Sequence, residues 1–176
     1  MGNSTLPFLP VRAPALERLQ LTVGVADLKE SDQPHAVIVT YGLGSCLGVT
    51  CFDPVAGAGG MLHAMLPDSK KCDRLGAPPA MFLDTGLALL LENILRLGGN
   101  PERCEFKVFG GAAVLQAHDF FNIGGRNIAM MKTLAGQYRL RVNVWDVGGQ
   151  VNRTIRLHLA TGRVHLRMPS RLEVSV

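Results

Sequence analysis

The chain has 176 residues, of which 47% are hydrophobic and 18% charged, with a formal net charge of +4. That length fits one domain with enough apolar matter for a sizeable core, and it excludes a disordered chain. The arginines are scattered and aromatics are only 6% of the chain, so the pattern of basic clusters interleaved with stacking rings that marks a nucleic-acid binder is missing. No apolar run approaches the eighteen or so residues of a membrane span. Met1 to Pro14 lacks the basic start and long apolar stretch of a secretory signal, which predicts a loose tail over 1–16 followed by one domain over 17–176. The four cysteines, Cys46, Cys51, Cys72 and Cys104, form no CxxC pair and have no histidine at zinc-finger spacing. Free thiols in a reducing, cytoplasmic setting are the simplest expectation, with no metal.

In chain order, Leu19 to Ala26 predicts a strand, with Leu21, Val23 and Val25 on one face. The β-branched run His35 to Thr40 predicts a second, ending at the glycine-punctuated turn Tyr41-Gly42-Leu43-Gly44-Ser45. Cys46 to Phe52 and Met61 to Leu66 predict two more, separated by turns at Asp53-Pro54 and Gly57 to Gly60. Pro67 to Pro79 is polar and long enough to form the rim or lid of a site. Met81 to Leu97 has helical spacing and stops at Gly98-Gly99. A short strand over Phe106 to Phe109 runs into Gly110-Gly111, and Asn122 caps a second helix near Gly125 to Tyr138. Leu140 to Trp145 alternates as a strand, and Thr154 to Leu159 with Arg163 to Met168 flank the hairpin signal Thr161-Gly162. Strands arriving in runs, with two main helices, predict an α+β fold built on a layered mixed β-sheet.

Chemistry concentrates between Thr40 and Pro67. Cys46 stands where a glycine-rich turn enters a strand, and the turn aims backbone N–H groups of Gly44, Ser45 and Cys46 at a developing oxyanion. A small core cysteine at a strand start is the competing reading. If the strands after Cys46 and around His63 pair as a hairpin, His63 approaches Cys46, lowers its thiol pKa and serves as its base. A third group then orients the imidazole: Thr40 has a hydroxyl at the end of its strand, and Asp53 and Asp68 are acidic competitors. Cys51 lies an odd offset from Cys46 and is expected on the opposite strand face. Cys72 and Cys104 have no pattern around them. Gly42-Leu43-Gly44 lacks the Lys-Ser/Thr and helix of a phosphate loop.

The segments GLGSC at 42–46, FDP at 52–54, GGMLHAMLP at 59–67, FGGA at 109–112, NIGGRN at 122–127 and DVGG at 146–149 resemble CheD, the chemoreceptor glutamine deamidase family of bacterial chemotaxis. The resemblance runs from about Leu21 to Arg167, with the motifs in order. It implies a cysteine–histidine–threonine set falling on Cys46, His63 and Thr40. It implies a fold similar to the catalytic domains of deamidating bacterial toxins, and no metal or organic cofactor. It also implies that the substrates are methyl-accepting chemotaxis receptors, reached at the membrane only through those receptors. The reaction implied is hydrolysis of glutamine side chains through a cysteine thioester, with receptor methyl esters as a second electrophile of the same kind. The CheC phosphatase is an implied partner, for which Phe120, Phe121 and Arg126 beside the site are the candidate contacts. Another cysteine hydrolase, such as a protease or transglutaminase-like enzyme, and a non-catalytic adaptor remain as alternatives.

Overall fold

The computed structural model describes residues 19–71, 76–113, 122–169 and 171–176. The expected tail over 1–16, Cys72, Phe120 and Phe121 lie outside them. Among the described residues there are ten strands and two α-helices: β1 (Leu19–Val23), β2 (Asp27–Ser31), β3 (Ala36–Leu43), β4 (Leu47–Asp53), β5 (Ala58–Ala64), α1 (Leu83–Arg96), β6 (Glu105–Gly110), α2 (Ile123–Gln137), β7 (Val142–Val147), β8 (Arg153–His158), β9 (Arg163–Met168) and β10 (Arg171–Ser175). They form two five-stranded sheets, in the orders β1-β3-β8-β9-β10 and β2-β5-β4-β6-β7. Pairings are antiparallel except β1 with β3 and β6 with β7. The expected α+β class with two main helices holds.

Two apolar layers result. Ile38, Leu43, Phe52, Met61, Phe109, Ile155, Leu157 and Leu166 fill the space between the sheets. Val49, Leu62, Phe106 and Val108 pack on the other face of the second sheet, against Leu83, Leu87, Leu90 and Ile94 of α1 and Met131 and Leu134 of α2. The second sheet is therefore covered on both sides, and β4 and β5 are buried along their whole length. This is why both strands read as apolar runs rather than as alternation.

Two expectations need correction. The first predicted strand breaks at Gly24. Ala26 turns the chain with φ +59°, and Asp27 to Ser31 joins the other sheet. β2 carries a charged, half-buried sequence and β10 an exposed one because each is the edge of its sheet, where apolar alternation is not demanded. Gly57 to Gly60 is not a turn throughout: β5 begins at Ala58. A Cβ on Gly59 would stand 2.6 Å from Leu159 Cδ2, and one on Gly60 2.7 Å from Leu90 Cδ1. These two glycines let both neighbouring layers close on the strand.

Asp53 ends β4 and locks that end of the sandwich. Its carboxylate accepts from the backbone N–H groups of Val55 (2.9 Å) and Asn100 (2.8 Å) and pairs with Arg103 (2.6 Å). Burial alone would push its pKa up, but the Arg103 guanidinium and the N–H donors hold it at about 2. Among the described residues no helix is long and apolar enough to cross a membrane.

Asp53→Ala should cost about 2–4 kcal/mol in urea unfolding, since it strands an arginine and several backbone donors. Because the folded pKa lies below the ordinary 3.8, this contribution is complete above that value and is lost as pH falls towards about 2. The stability of Asp53→Ala should therefore depend less on pH than the parent's across that window.

Candidate active site

β4 and β5 pair in register, with Gly48 opposite His63 and Leu47 opposite Ala64. Cys46 lies two positions before Gly48 and so shares a strand face with His63, one step along the diagonal. Both project between the sheets, since Cys46 packs against the inter-sheet cluster and His63 reaches a residue of the first sheet. Gly48 leaves room there, because a Cβ on it would stand 2.7 Å from Leu43 Cδ1 and 3.0 Å from Ile155 Cδ1.

The residue that His63 reaches is Thr40. Its Oγ1 lies 2.8 Å from His63 Nδ1 and donates its single proton to the carbonyl of Val23 at 2.7 Å. With that proton committed, the hydroxyl can only accept from the ring, so Nδ1 carries hydrogen and Nε2 presents a lone pair. Nδ1 is bonded to Thr40 and not to either acidic competitor. Asp53 sits at the far end of β4, about 20 Å along the strand from Cys46, and Asp68 accepts from the backbone N–H of Lys70. The break after β1 serves this arrangement. Val23 pairs beside Thr40 in one sheet, while Asp27 pairs beside His63 in the other, and the Ala26 N–H donates to the His63 carbonyl at 2.9 Å.

His63 is 1% exposed, and Nε2 has no hydrogen-bond partner among the described residues. Burial lowers its pKa from 6.5 to about 4, against a smaller opposing pull from the Asp27 carboxylate. Burial also pushes the Cys46 thiol up, opposed by its own backbone N–H. This runs against the expectation of a thiol whose pKa is lowered by its neighbour. Neither charge is favoured here, and the resting pair is neutral thiol and neutral imidazole.

The turn carrying Cys46 is held from outside. Gly42 has φ +66°, which the turn needs. The Gly44 carbonyl accepts from Ala112 N–H and the Cys46 carbonyl from Gly111 N–H, each at 2.8 Å. Gly110, at φ +106°, lies so close to the Cys46 carbonyl that any side chain would collide with it. Gly110 in turn accepts from Gly148 N–H, and Ala113 donates to Gly149, both at 2.8 Å. Arg153 braces that segment through Asp146 (2.7 Å) and the Gly148 carbonyl (3.0 Å). The FGGA and DVGG segments are thus the scaffold of the Cys46 turn.

Sequence reasoning missed Asn127. It is wholly buried, and its Nδ2 donates to the carbonyls of Ser45 (2.9 Å) and Met65 (3.0 Å). The signal was available: Gly124, Asn127, Met131 and Leu134 form the buried stripe of α2, and a polar residue on such a stripe needs a reason. Arg126, one residue earlier, is exposed and lines a concavity with Pro67, Asp68, Ala129, Met130 and Thr133. Cys51 is buried on the helix side of β4, beside Cys104, as the odd offset required. Among the described residues no group of three or more His, Cys, Asp or Glu is placed to hold a metal ion.

The family model described as CheD chemotactic sensory transduction matches residues 65–168. A Desulforamulus reducens protein named as a probable chemoreceptor glutamine deamidase CheD is 41% identical over 151 residues, 84% of this chain and 90% of that protein. A Pyrococcus abyssi protein of the same name is 41% identical over 150 residues, 84% of this chain and 91% of its own length. Among solved structures, the Bacillus licheniformis hypothetical protein YfiH aligns over 69% of this chain and 51% of its own. Its TM-score of 0.40 and 16% identity are too low to carry an argument. With about two fifths of aligned residues identical across most of both chains, this protein belongs to the CheD family.

Proposed function

We propose that the protein hydrolyses glutamine side chains to glutamate on chemoreceptors, the activity named for its relatives, with Cys46 as nucleophile and His63 as base. The observation that carries this reading is the Val23–Thr40–His63 chain of hydrogen bonds. It leaves an unpartnered Nε2 lone pair on the strand face that Cys46 shares.

In the first half, the Sγ–H proton passes to Nε2 as sulfur bonds to the side-chain carbonyl carbon. A neutral resting pair makes this general-base attack rather than attack by a preformed thiolate. The trans peptide sets each N–H opposite the preceding carbonyl. With the Gly44 and Ser45 carbonyls turned towards Ala112 and Asn127, the N–H groups of Ser45 and Cys46 point away from those supports and suit the oxyanion. The C–N bond then breaks, and the imidazolium proton leaves with nitrogen as ammonia. In the second half, water loses a proton to Nε2 and attacks the thioester carbon. The C–S bond breaks, glutamate departs and the proton returns to sulfur. A carboxyl methyl ester offers the same carbon with methanol as leaving group, so receptor methylesterase activity belongs to the same proposal. The setting is cytoplasmic, where receptor signalling regions lie. A CheC-type phosphatase would approach by the face carrying Arg126.

Ammonia release from a receptor fragment tests the assignment. Cys46→Ala should abolish it with the fold intact, and His63→Ala should lower turnover by about 10²-fold or more. Thr40→Val should lower turnover less than His63→Ala, because it removes the orientation of the ring and not the ring itself. Normal turnover in either of the first two variants would remove the dyad.

The buried imidazole also sets the pH profile. Below its pKa, Nε2 is protonated and cannot take the thiol proton, so kcat/KM should rise through a midpoint near 4 and be flat through pH 6–7. A midpoint near 6.5 in natively folded protein would show that His63 titrates as if exposed.

A further inference from the structure

Asn127 has two N–H hydrogens, and both are used, one on the carbonyl before Cys46 and one on the carbonyl of Met65, two residues after His63. These carbonyls lie just outside two different strands, before β4 and after β5. The β4–β5 ladder ends at Leu47 opposite Ala64, so the next positions, Cys46 and Met65, lie just past its last pair. Asn127 takes over where the ladder stops. Met65 itself donates to the Met81 carbonyl at 2.9 Å, which draws that end of the chain towards α1. The side chain of Asn127 is therefore the tie between the nucleophile turn and the exit of the base strand.

Two further features show that this tie was built at some cost. Asn127 Oδ1 is buried and has no hydrogen-bond partner among the described residues, a state that ordinarily costs stability. The helix carrying it also comes unusually close: a Cβ on Gly124 would stand 2.5 Å from the Gly111 carbonyl oxygen. The glycine allows α2 to lie against the very segment that supports Cys46, and so brings Asn127 within reach of both strands.

We propose that Asn127 is a positioning residue for the dyad, setting the separation of Cys46 Sγ and His63 Nε2 by clamping Ser45 to Met65. The proposal rests on the assignment of Cys46 and His63 as nucleophile and base. It adds that the β4–β5 ladder alone does not fix their distance. An error of about 1 Å at reacting groups can cost ~100-fold in rate, so loss of the clamp acts on kcat and not on KM.

The test uses the full chain and a probe that needs no receptor: the rate of Cys46 alkylation by iodoacetamide, assigned by mass spectrometry, alongside kcat and KM for ammonia release. His63→Ala gives the rate of a thiol with no base. Asn127→Ala should fall towards that rate and lose roughly tenfold or more in kcat, with KM within about twofold. Asn127→Asp keeps the volume. Facing two carbonyls, its carboxyl is driven to the protonated form, which restores one donor. Alkylation in Asn127→Asp should therefore approach the parent's at low pH and fall as that carboxyl ionises, over a range where the parent does not fall. Parent-like alkylation and kcat in folded Asn127→Ala, or an Asn127→Asp profile that follows the parent's, would overturn the proposal. If Asn127→Ala does not fold, the Asn127→Asp profile decides. If His63→Ala leaves parental alkylation unchanged, it is the dyad that fails, and the clamp has nothing to position.

Discussion

A single hydroxyl proton organises the site. Thr40 gives it to the Val23 carbonyl, and that commitment turns the Thr40 oxygen into an acceptor for His63 Nδ1–H and leaves Nε2 as the only basic nitrogen. The interaction also spans the molecule, because Thr40 belongs to one sheet and His63 to the other. Any slip of one sheet across the other would break it. The inter-sheet cluster of Ile38, Leu43, Met61, Phe109 and Ile155 therefore preserves the tautomer of His63, the proposed base, as well as the fold. The Val23-to-Asp27 corner, which sends the chain from one sheet to the other, supplies both the proton acceptor and an N–H for the His63 carbonyl.

Burial sets the chemistry. Burial between two sheets disfavours both imidazolium and thiolate, and in the proposed reaction charge would appear only as bonds change. Such a site gains from donors in place beforehand, because fixed N–H groups need no reorganisation around a new oxyanion. The outer scaffold answers that need. Gly110 and Gly111 approach the Cys46 carbonyl, Gly148 and Gly149 hold them, and Arg153 holds those. Three glycine-bearing segments separated by long stretches of sequence converge on one peptide group.

Much of this was legible in the sequence. The β4–β5 hairpin, both helices and the β8–β9 hairpin follow from apolar spacing and turn residues, and Cys46, His63 and Thr40 were nominated from a glycine turn followed by a strand pair. β2 and β10 were not legible, because edge strands such as Asp27–Ser31 carry no period of their own. The β5 start was misplaced because Gly59 and Gly60, ordinarily turn residues, are there for the approach of Leu159 and Leu90. The acidity of the dyad was misjudged because spacing says nothing of desolvation. Asn127 lay inside a recognised segment, yet its partners at Ser45 and Met65 are 82 and 62 residues away and only the folded chain shows them.

The central claim is that Cys46 forms a covalent bond to the substrate's side-chain carbonyl. Rapid acid quenching of the protein during turnover of a glutamine-bearing receptor fragment, followed by mass spectrometry, tests it most directly. The account predicts an adduct on Cys46 equal to the fragment less one ammonia, formed no later than ammonia appears. Steady release of ammonia with no adduct on Cys46 under quench times shorter than one turnover, or an adduct carried by Cys51 or Cys104, would contradict it.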